Sequence, residues 1–115
     1  MEETAIEPIK LIVCIVNRGD AERITALCLQ QRIALHLTLR GHGTADSDVL
    51  DYLGLGETEK DVVLLCVRQS AADGFLQDLR AQLHLDRPGS GIAFSIPLSS
   101  VAERGTLALL SGYPD

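Results

Sequence analysis

The chain has 115 residues, a formal net charge of −6 and a hydrophobic fraction of 46%. This length fits one domain, 1–115, with a core of its own. The acidic balance excludes a nucleic-acid binder that works through phosphate contacts, and no apolar run approaches the roughly 18 residues of a membrane-spanning helix. The acidic start Met1–Glu3 does not resemble a signal peptide. We therefore expect a cytoplasmic protein with no direct membrane insertion.

The first part of the chain predicts a strand, a helix and a second strand. Ile9 to Val16 is a nearly continuous apolar run rich in Ile and Val, which is typical of a strand buried on both faces. Asp20 is a candidate helix N-cap, and the apolar spacing after it predicts a helix as far as about Arg32. Over 34–40, leucines alternate with polar residues, which predicts a strand with one polar face that ends at Gly41.

The middle of the chain is less regular. Residues 44–56 fit either a short helix or a loop, and 57–60 read as a polar turn. Val62 to Val67 is the second continuous apolar run and predicts another fully buried strand. Ser70 and Asp73 have the spacing of a capping box, and leucines at helical spacing follow them.

The last predicted strand follows a tight loop at 86–91. Ile92 to Leu98 alternates between large apolar residues and small ones, and Pro97 cannot donate to a strand ladder. Proline therefore favours an edge position for this strand. A short amphipathic tail, 99–115, remains.

This element order predicts an α+β ferredoxin-like βαββαβ fold. We expect an antiparallel sheet in the order 4-1-3-2, with both helices on one face and an extra short helix or loop between strands 2 and 3. The two continuous runs suit the central strands, and the two alternating runs suit the edges. Because central strands that are apolar on both sides would leave one face bare, we also expect oligomers in which the sheets cover one another.

Two glycine-rich segments, each led by an arginine, stand at strand ends. They are Arg40-Gly41-His42-Gly43-Thr44 and Arg87-Pro88-Gly89-Ser90-Gly91. Glycines allow successive backbone N–H groups to converge on an anion, and arginine supplies charge. These segments therefore favour a ligand that carries phosphate, while simple turns are the alternative. Because the strand ends lie on opposite edges of the sheet, an adjacent subunit would be needed to bring them together.

Catalytic and metal-binding patterns are absent from the sequence. No nucleophile with a positioned base is recognisable, and no histidine pair has metal-ligand spacing. The acidic cluster at 46–51 is interpreted as a solvated helix face. Cys14, Cys28 and Cys66 lie in apolar runs and are predicted to be buried thiols. We expect neither an enzyme nor a metal site, and no obligatory cofactor.

The sequence resembles the PII signal-transduction family over about 9–105. The segment 87–94 is similar to the family's nucleotide-binding B-loop, K-x-G-D-G-K-I-F, with Arg87 at the first lysine and Gly89 and Gly91 at the glycines. Arg40 to Gly43 is similar to the family's K-G-F-G. Ser90 replaces the acidic residue of the motif, and isoleucine replaces its second lysine. Of the family's C-terminal R-x-R pair, the chain offers only a displaced arginine, Arg104.

This resemblance implies a homotrimer that binds a nucleotide between subunits. The ligands it implies are ATP, ADP or AMP, and the reduced number of cations leaves room for another small anion. The predicted nucleotide-binding residues are Arg40, Gly41, His42, Gly43, Arg87, Gly89, Ser90, Gly91 and Arg104. The family's T-loop corresponds to about 44–60, which implies signalling to a protein target, a transporter or an enzyme, in nitrogen metabolism.

Two other functions fit a ferredoxin-like domain. One is a trimeric binding module for divalent cations or amino acids. The other is a small acyl-phosphate hydrolase in which Arg87 clamps phosphate, although no base or nucleophile supports it.

Overall fold

Strands and helices follow one another in the predicted order. The structure is a computed structural model, and it describes residues 8–42 and 59–99. The elements are β1 (Ile9–Asn17), α1 (Ala21–Gln30), β2 (His36–His42), β3 (Glu59–Arg68), α2 (Gln69–Leu83) and β4 (Gly91–Pro97).

The four strands form one antiparallel sheet in the order β2-β3-β1-β4. This order confirms the predicted ferredoxin-like arrangement. The two continuous apolar runs are the central strands, and Pro97 lies on an edge strand. In the register, Val13 stands opposite Leu64 on one side and Phe94 on the other.

Both helices pack on the same face of the sheet and build the core there. Phe75 of α2 and Ile24 of α1 are almost completely buried. Between the helices, the Gln31 side chain donates a hydrogen bond of 2.8 Å to Asp78. The strands supply this core with alternate residues: Ile12, Cys14, Val16, Val63, Leu65 and Val67.

The opposite face of the sheet, which we call the open face, is also apolar. Alternation along the strands and their register assign twelve apolar residues to it. On the edge strands all of these side chains except the half-buried Ile92 are solvent-exposed, with Leu37 at 51% and Phe94 at 41%. The members are Ile9, Leu11, Val13, Ile15, Leu37, Leu39, Val62, Leu64, Cys66, Ile92, Phe94 and Ile96.

Two predicted boundaries at one end of the sheet are wrong. The strand β2 does not end at Gly41 but continues through His42, and β3 begins at Glu59, so Glu59 and Lys60 are not part of a turn. The residues beyond each predicted boundary pair with one another, Gly41 with Lys60 and His42 with Glu59. Cross-strand pairing therefore extends both strands past the point where their apolar pattern stops.

The predicted helix caps are only half right. Asp20 occupies the N-cap position of α1, but its side chain makes no capping hydrogen bond. The second helix begins directly after β3, with Arg68 at the N-cap, so Ser70 lies inside the helix and does not cap it. The first helix ends at Gln30, two residues before the predicted end.

Several predicted features lie outside the described residues. They are the short helix or loop at 44–56, the body of the predicted signalling loop, the acidic cluster at 46–51, the tail from residue 100, Gly43 and Arg104. Within the described ranges, no helix is both long and apolar enough to cross a membrane.

Candidate functional site

Four strand ends meet at one end of the sheet. Strands β1 and β2 finish there, and β3 and β4 begin there, because the sheet is antiparallel in this order. Both glycine-rich segments are therefore at the same end, but they belong to opposite edges. Three interstrand spacings separate the outer strands, which is roughly 14 Å.

A row of polar groups crosses the open face at this end and joins the two edges. Gly41 pairs with Lys60, and Lys60 pairs with Asn17. The ammonium group of Lys60 donates to Oδ1 of Asn17 at 3.0 Å, and Nδ2 of Asn17 donates to the carbonyl oxygen of Gly89 at 2.7 Å. We call these four residues the polar row. It runs from one glycine-rich segment to the other along the border of the apolar face.

Lys60 is the charged member of the polar row, and only 4% of its surface is exposed. Its acidic neighbours in sequence, Glu59 and Asp61, point to the other face of the strand. Glu59 pairs there with Arg18 at 2.8 Å, and Asp61 accepts a hydrogen bond of 2.8 Å from the backbone N–H of Gly19. Across the ladder, Lys60 meets a neutral amide and a glycine. Within the described residues, the ammonium group of Lys60 therefore has a hydrogen-bond acceptor but no carboxylate that would neutralise its charge.

The 87–91 loop is fixed by its own hydrogen bonds. The Ser90 hydroxyl shares its single proton between the carbonyl oxygens of His84 and Arg87, at 2.7 and 2.6 Å, and the Arg87 N–H donates to the carbonyl oxygen of His84 at 3.0 Å. Gly89 and Gly91 have φ angles of +86° and +122°, which favour glycine. A Cβ atom at Gly91 would also collide with β1. The fold thus explains the second glycine without a ligand.

The predicted residues of the other segment lie in β2. Gly41 is the β2 member of the polar row, and a Cβ atom there would stand 2.9 Å from a methyl group of Val62. Arg40 and His42 are exposed. By alternation they point to the helix side of the sheet, away from Lys60. The structure therefore brings Gly41 and Gly89 into one row and leaves Arg40 and His42 off it.

The sequence patterns did not mark Asn17 or Lys60 as site residues. Both stand at the border of an apolar run, so Lys60 was interpreted as part of a polar turn and Asn17 was not singled out. The available signal was strand alternation, which gives Lys60 the face of Val62 and Leu64.

A cleft of about 320 Å³ lies beside the start of β4. The residues that line it are Leu76, Arg80, Leu85, Gly91, Ile92 and Ala93. Among the described residues that line it, Arg80 is the one that carries a charge, and Lys60 and Asn17 do not line it. The cleft and the polar row are thus lined by different residues.

The described residues 8–42 and 59–99 contain no group of three or more His, Cys, Asp or Glu side chains that could hold a metal ion. The three cysteines are free and buried. Burial raises the pKa of Cys14 to about 12, with the nearby charge of Cys28 adding to the effect, and burial raises the pKa of Cys28 to about 11. These thiols are poor nucleophiles and poor metal ligands at neutral pH.

Comparison with solved structures shows which folds the chain shares. The divalent ion tolerance protein CutA1 from Ehrlichia chaffeensis superposes with a TM-score of 0.63 at 12% identity, over 92% of this chain and 94% of that one. Arabidopsis thaliana PII bound to citrate gives 0.61 at 14% identity, over 81% and 79%. The GlnK–ATP complex of B. subtilis gives 0.57 at 12%, over 80% and 83%. The chain has the ferredoxin-like fold of the PII and CutA1 proteins.

Comparison at the level of sequence adds no assignment. No family model matches the chain, and no curated protein matches it. At identities of 12–14%, the structural likeness establishes the fold alone.

Proposed function

We propose that this chain is a PII-like regulatory subunit that forms a homotrimer and binds a small anionic ligand between subunits. The ligand class is an adenine nucleotide, ATP, ADP or AMP, or a comparable anion. The protein itself is not a catalyst. It signals to a partner protein, a transporter or an enzyme, through the 44–60 segment, in nitrogen metabolism.

The open face supports the oligomer. On the edge strand β2, Leu37 and Leu39 point away from the helices and are about half exposed, while Thr38 and Arg40 point toward the helix side. In a domain whose sheet packs only against its own helices, the apolar side chains would point toward the helices and the polar ones away from them. In β2 the arrangement is the opposite. An apolar sheet face of this size is typical of an interface, and burying it contributes about 25 cal/mol per Å² before association costs.

The observation that carries the ligand proposal is the buried Lys60 side chain, whose ammonium group meets a neutral amide and no carboxylate among the residues that the structure describes. Moving a charge away from water costs several kcal/mol unless a partner compensates for it. The polar row offers only neutral partners, so an anion is the group that would complete it. Since the row borders the apolar face, association of subunits through that face would enclose such an anion at a seam.

The choice of an adenine nucleotide depends on the resemblance of 87–94 to a phosphate-binding B-loop. Two structures with the same fold carry anionic ligands, since GlnK is complexed with ATP and Arabidopsis PII with citrate. The positive-φ glycines of the 87–91 loop are also compatible with close approach of a phosphate group.

A thermal-shift panel with ATP, ADP, AMP and citrate tests this proposal. A ligand present at a hundred times its Kd adds about 2.7 kcal/mol of stability, which raises Tm by roughly 10 °C in a domain of this size. Lys60→Met should abolish that shift. Lys10→Met is the matched control, because it removes a lysine from the neighbouring strand. If none of the four compounds moves the Tm of the wild-type protein, the nucleotide proposal is wrong.

A divalent-cation binder is the second candidate, because CutA1 shares the fold. The described residues offer no cluster for a cation, so the cation would depend on donors elsewhere in the chain. Calorimetric titration with Mn²⁺, Cu²⁺ and Zn²⁺ separates the two functions. Saturable metal binding that survives Lys60→Met, together with no response to nucleotides, would favour this candidate.

A further inference from the structure

Asn17 is the only residue of the polar row that contacts both of its neighbours through its side chain. Its carbonyl oxygen Oδ1 accepts from Lys60, and its amide nitrogen Nδ2 donates to Gly89. The partners lie 43 and 72 positions away in sequence, on the other central strand and in the 87–91 loop. One carboxamide therefore joins three separate segments of the chain.

The two partners fix the orientation of this carboxamide. An ammonium group can only donate, and a backbone carbonyl can only accept. A flipped amide would place its N–H₂ against the ammonium of Lys60 and its oxygen against the oxygen of Gly89. Both contacts would be repulsive, so Lys60 helps to aim the Nδ2 group at the loop.

The neutrality of Asn17 matters as much as its geometry. Aspartate has almost the same shape, and in this position it would neutralise the ammonium of Lys60 and turn an oxygen toward the carbonyl of Gly89. Asparagine holds Lys60 without cancelling its charge and still donates to the loop.

We infer that Asn17 is a positioning residue that couples Lys60 to the 87–91 loop and keeps the charge of Lys60 available to an anion. The coupling requires only the polar row of a single subunit. The statement about anion binding rests on the proposed function. The two parts are tested separately, so that one can fail without the other.

Hydrogen–deuterium exchange of the ligand-free protein tests the coupling. Peptides covering 85–92 should exchange roughly 5- to 10-fold faster in Asn17→Leu and Asn17→Asp, because the hydrogen bond to Gly89 is lost. Lys60→Met should also raise the exchange rate of the same peptides, at least about twofold, although Lys60 lies on the far side of β1 from the loop. Lys10→Met should leave them unchanged. If Asn17→Leu fails to fold, the near-isosteric Asn17→Asp keeps the test valid.

Unchanged exchange at 85–92 in both Asn17 variants would overturn the positioning role. Acceleration in the Asn17 variants with none in Lys60→Met would overturn the coupling, because Lys60 would then have no influence on the amide.

Binding of ADP and of citrate, measured by calorimetry, tests the role of charge. We expect Asn17→Asp to weaken the binding of both compounds at least tenfold. The difference in affinity between the wild-type protein and the variant should shrink in 0.5 M salt, because salt screens the charges. Equal affinity of the wild-type protein and Asn17→Asp would overturn this role. If the wild-type protein binds neither compound while Lys60→Met still accelerates exchange, the proposed function fails and the coupling stands.

Discussion

The backbone of Gly91 lies directly against that of Ile15 in the neighbouring strand. A Cβ atom on Gly91 would stand 2.6 Å from the carbonyl oxygen of Ile15, and the φ angle of Gly91 is +122°. Gly91→Ala should therefore lower the free energy of unfolding by about 2–4 kcal/mol, through both strain and collision. Urea denaturation followed by circular dichroism measures this change.

Gly74 provides the matched control for that substitution. It lies inside α2, and a Cβ atom there would meet nothing within 4 Å. Gly74→Ala should stabilise the protein by about 0.5–1 kcal/mol, because alanine has the higher helix propensity. Equal effects of the two substitutions would contradict the special role of Gly91.

The open face should control assembly. Leu39 points to the open face and is 49% exposed, while Thr38, next to it on β2, points to the other side. We expect Leu39→Asp to convert the protein to monomers, because a carboxylate would be buried in the interface. Thr38→Asp should leave the assembly intact. Size-exclusion chromatography with light scattering distinguishes these results, and a wild-type monomer at 100 µM would contradict the trimer.

The core between the helices and the sheet should dominate stability. Phe75 is 1% exposed, whereas Leu29 is 74% exposed. Phe75→Ala should cost about 3–5 kcal/mol of unfolding free energy, since it leaves a cavity in the core. Leu29→Ala should change stability by less than about 0.5 kcal/mol. Chemical denaturation of both variants tests the assignment of the core face, and a comparable loss in Leu29→Ala would contradict it.

The buried thiols should make the protein less stable at alkaline pH. The pKa of Cys14 is about 12 in the folded chain, against 9.0 for an unperturbed thiol. Below pH 9 both states keep the proton, so this thiol adds no pH dependence. Above pH 9 the unfolded chain releases the proton and the folded chain retains it. Each such thiol then lowers the unfolding free energy by about 1.4 kcal/mol per pH unit.

Denaturation between pH 9 and pH 11 measures this slope. Cys14→Ala should reduce it by about 1.4 kcal/mol per pH unit, while lysine and tyrosine ionisation stays the same in both proteins. An identical slope in the variant would show that Cys14 ionises normally when folded.

The element order, supported by the hydropathy patterns, was sufficient to predict the sheet order. The run Ile9–Val16, interrupted only by Lys10, and the run Val62–Val67 place apolar residues on both faces of the two central strands. The alternating residues of 34–40 and the proline at 97 belong to edge strands. Alternation suits a strand with one solvent-exposed face, and proline suits a strand that pairs with a neighbour on one side only. Local apolarity separates the central strands from the edge strands, and the ferredoxin-like element order supplies which strands are neighbours.

The strand ends and the polar row were decided only by tertiary structure. Lys60 continues β3 because Gly41 and Asn17 pair with it from the two neighbouring strands, and no local pattern records such pairing. Asn17 has a partner 72 residues away, at Gly89. By itself, the sequence determined which segments are strands and which faces are apolar. The register of the sheet decided which polar residues meet, because hydrogen bonds between distant segments depend on alignment in space.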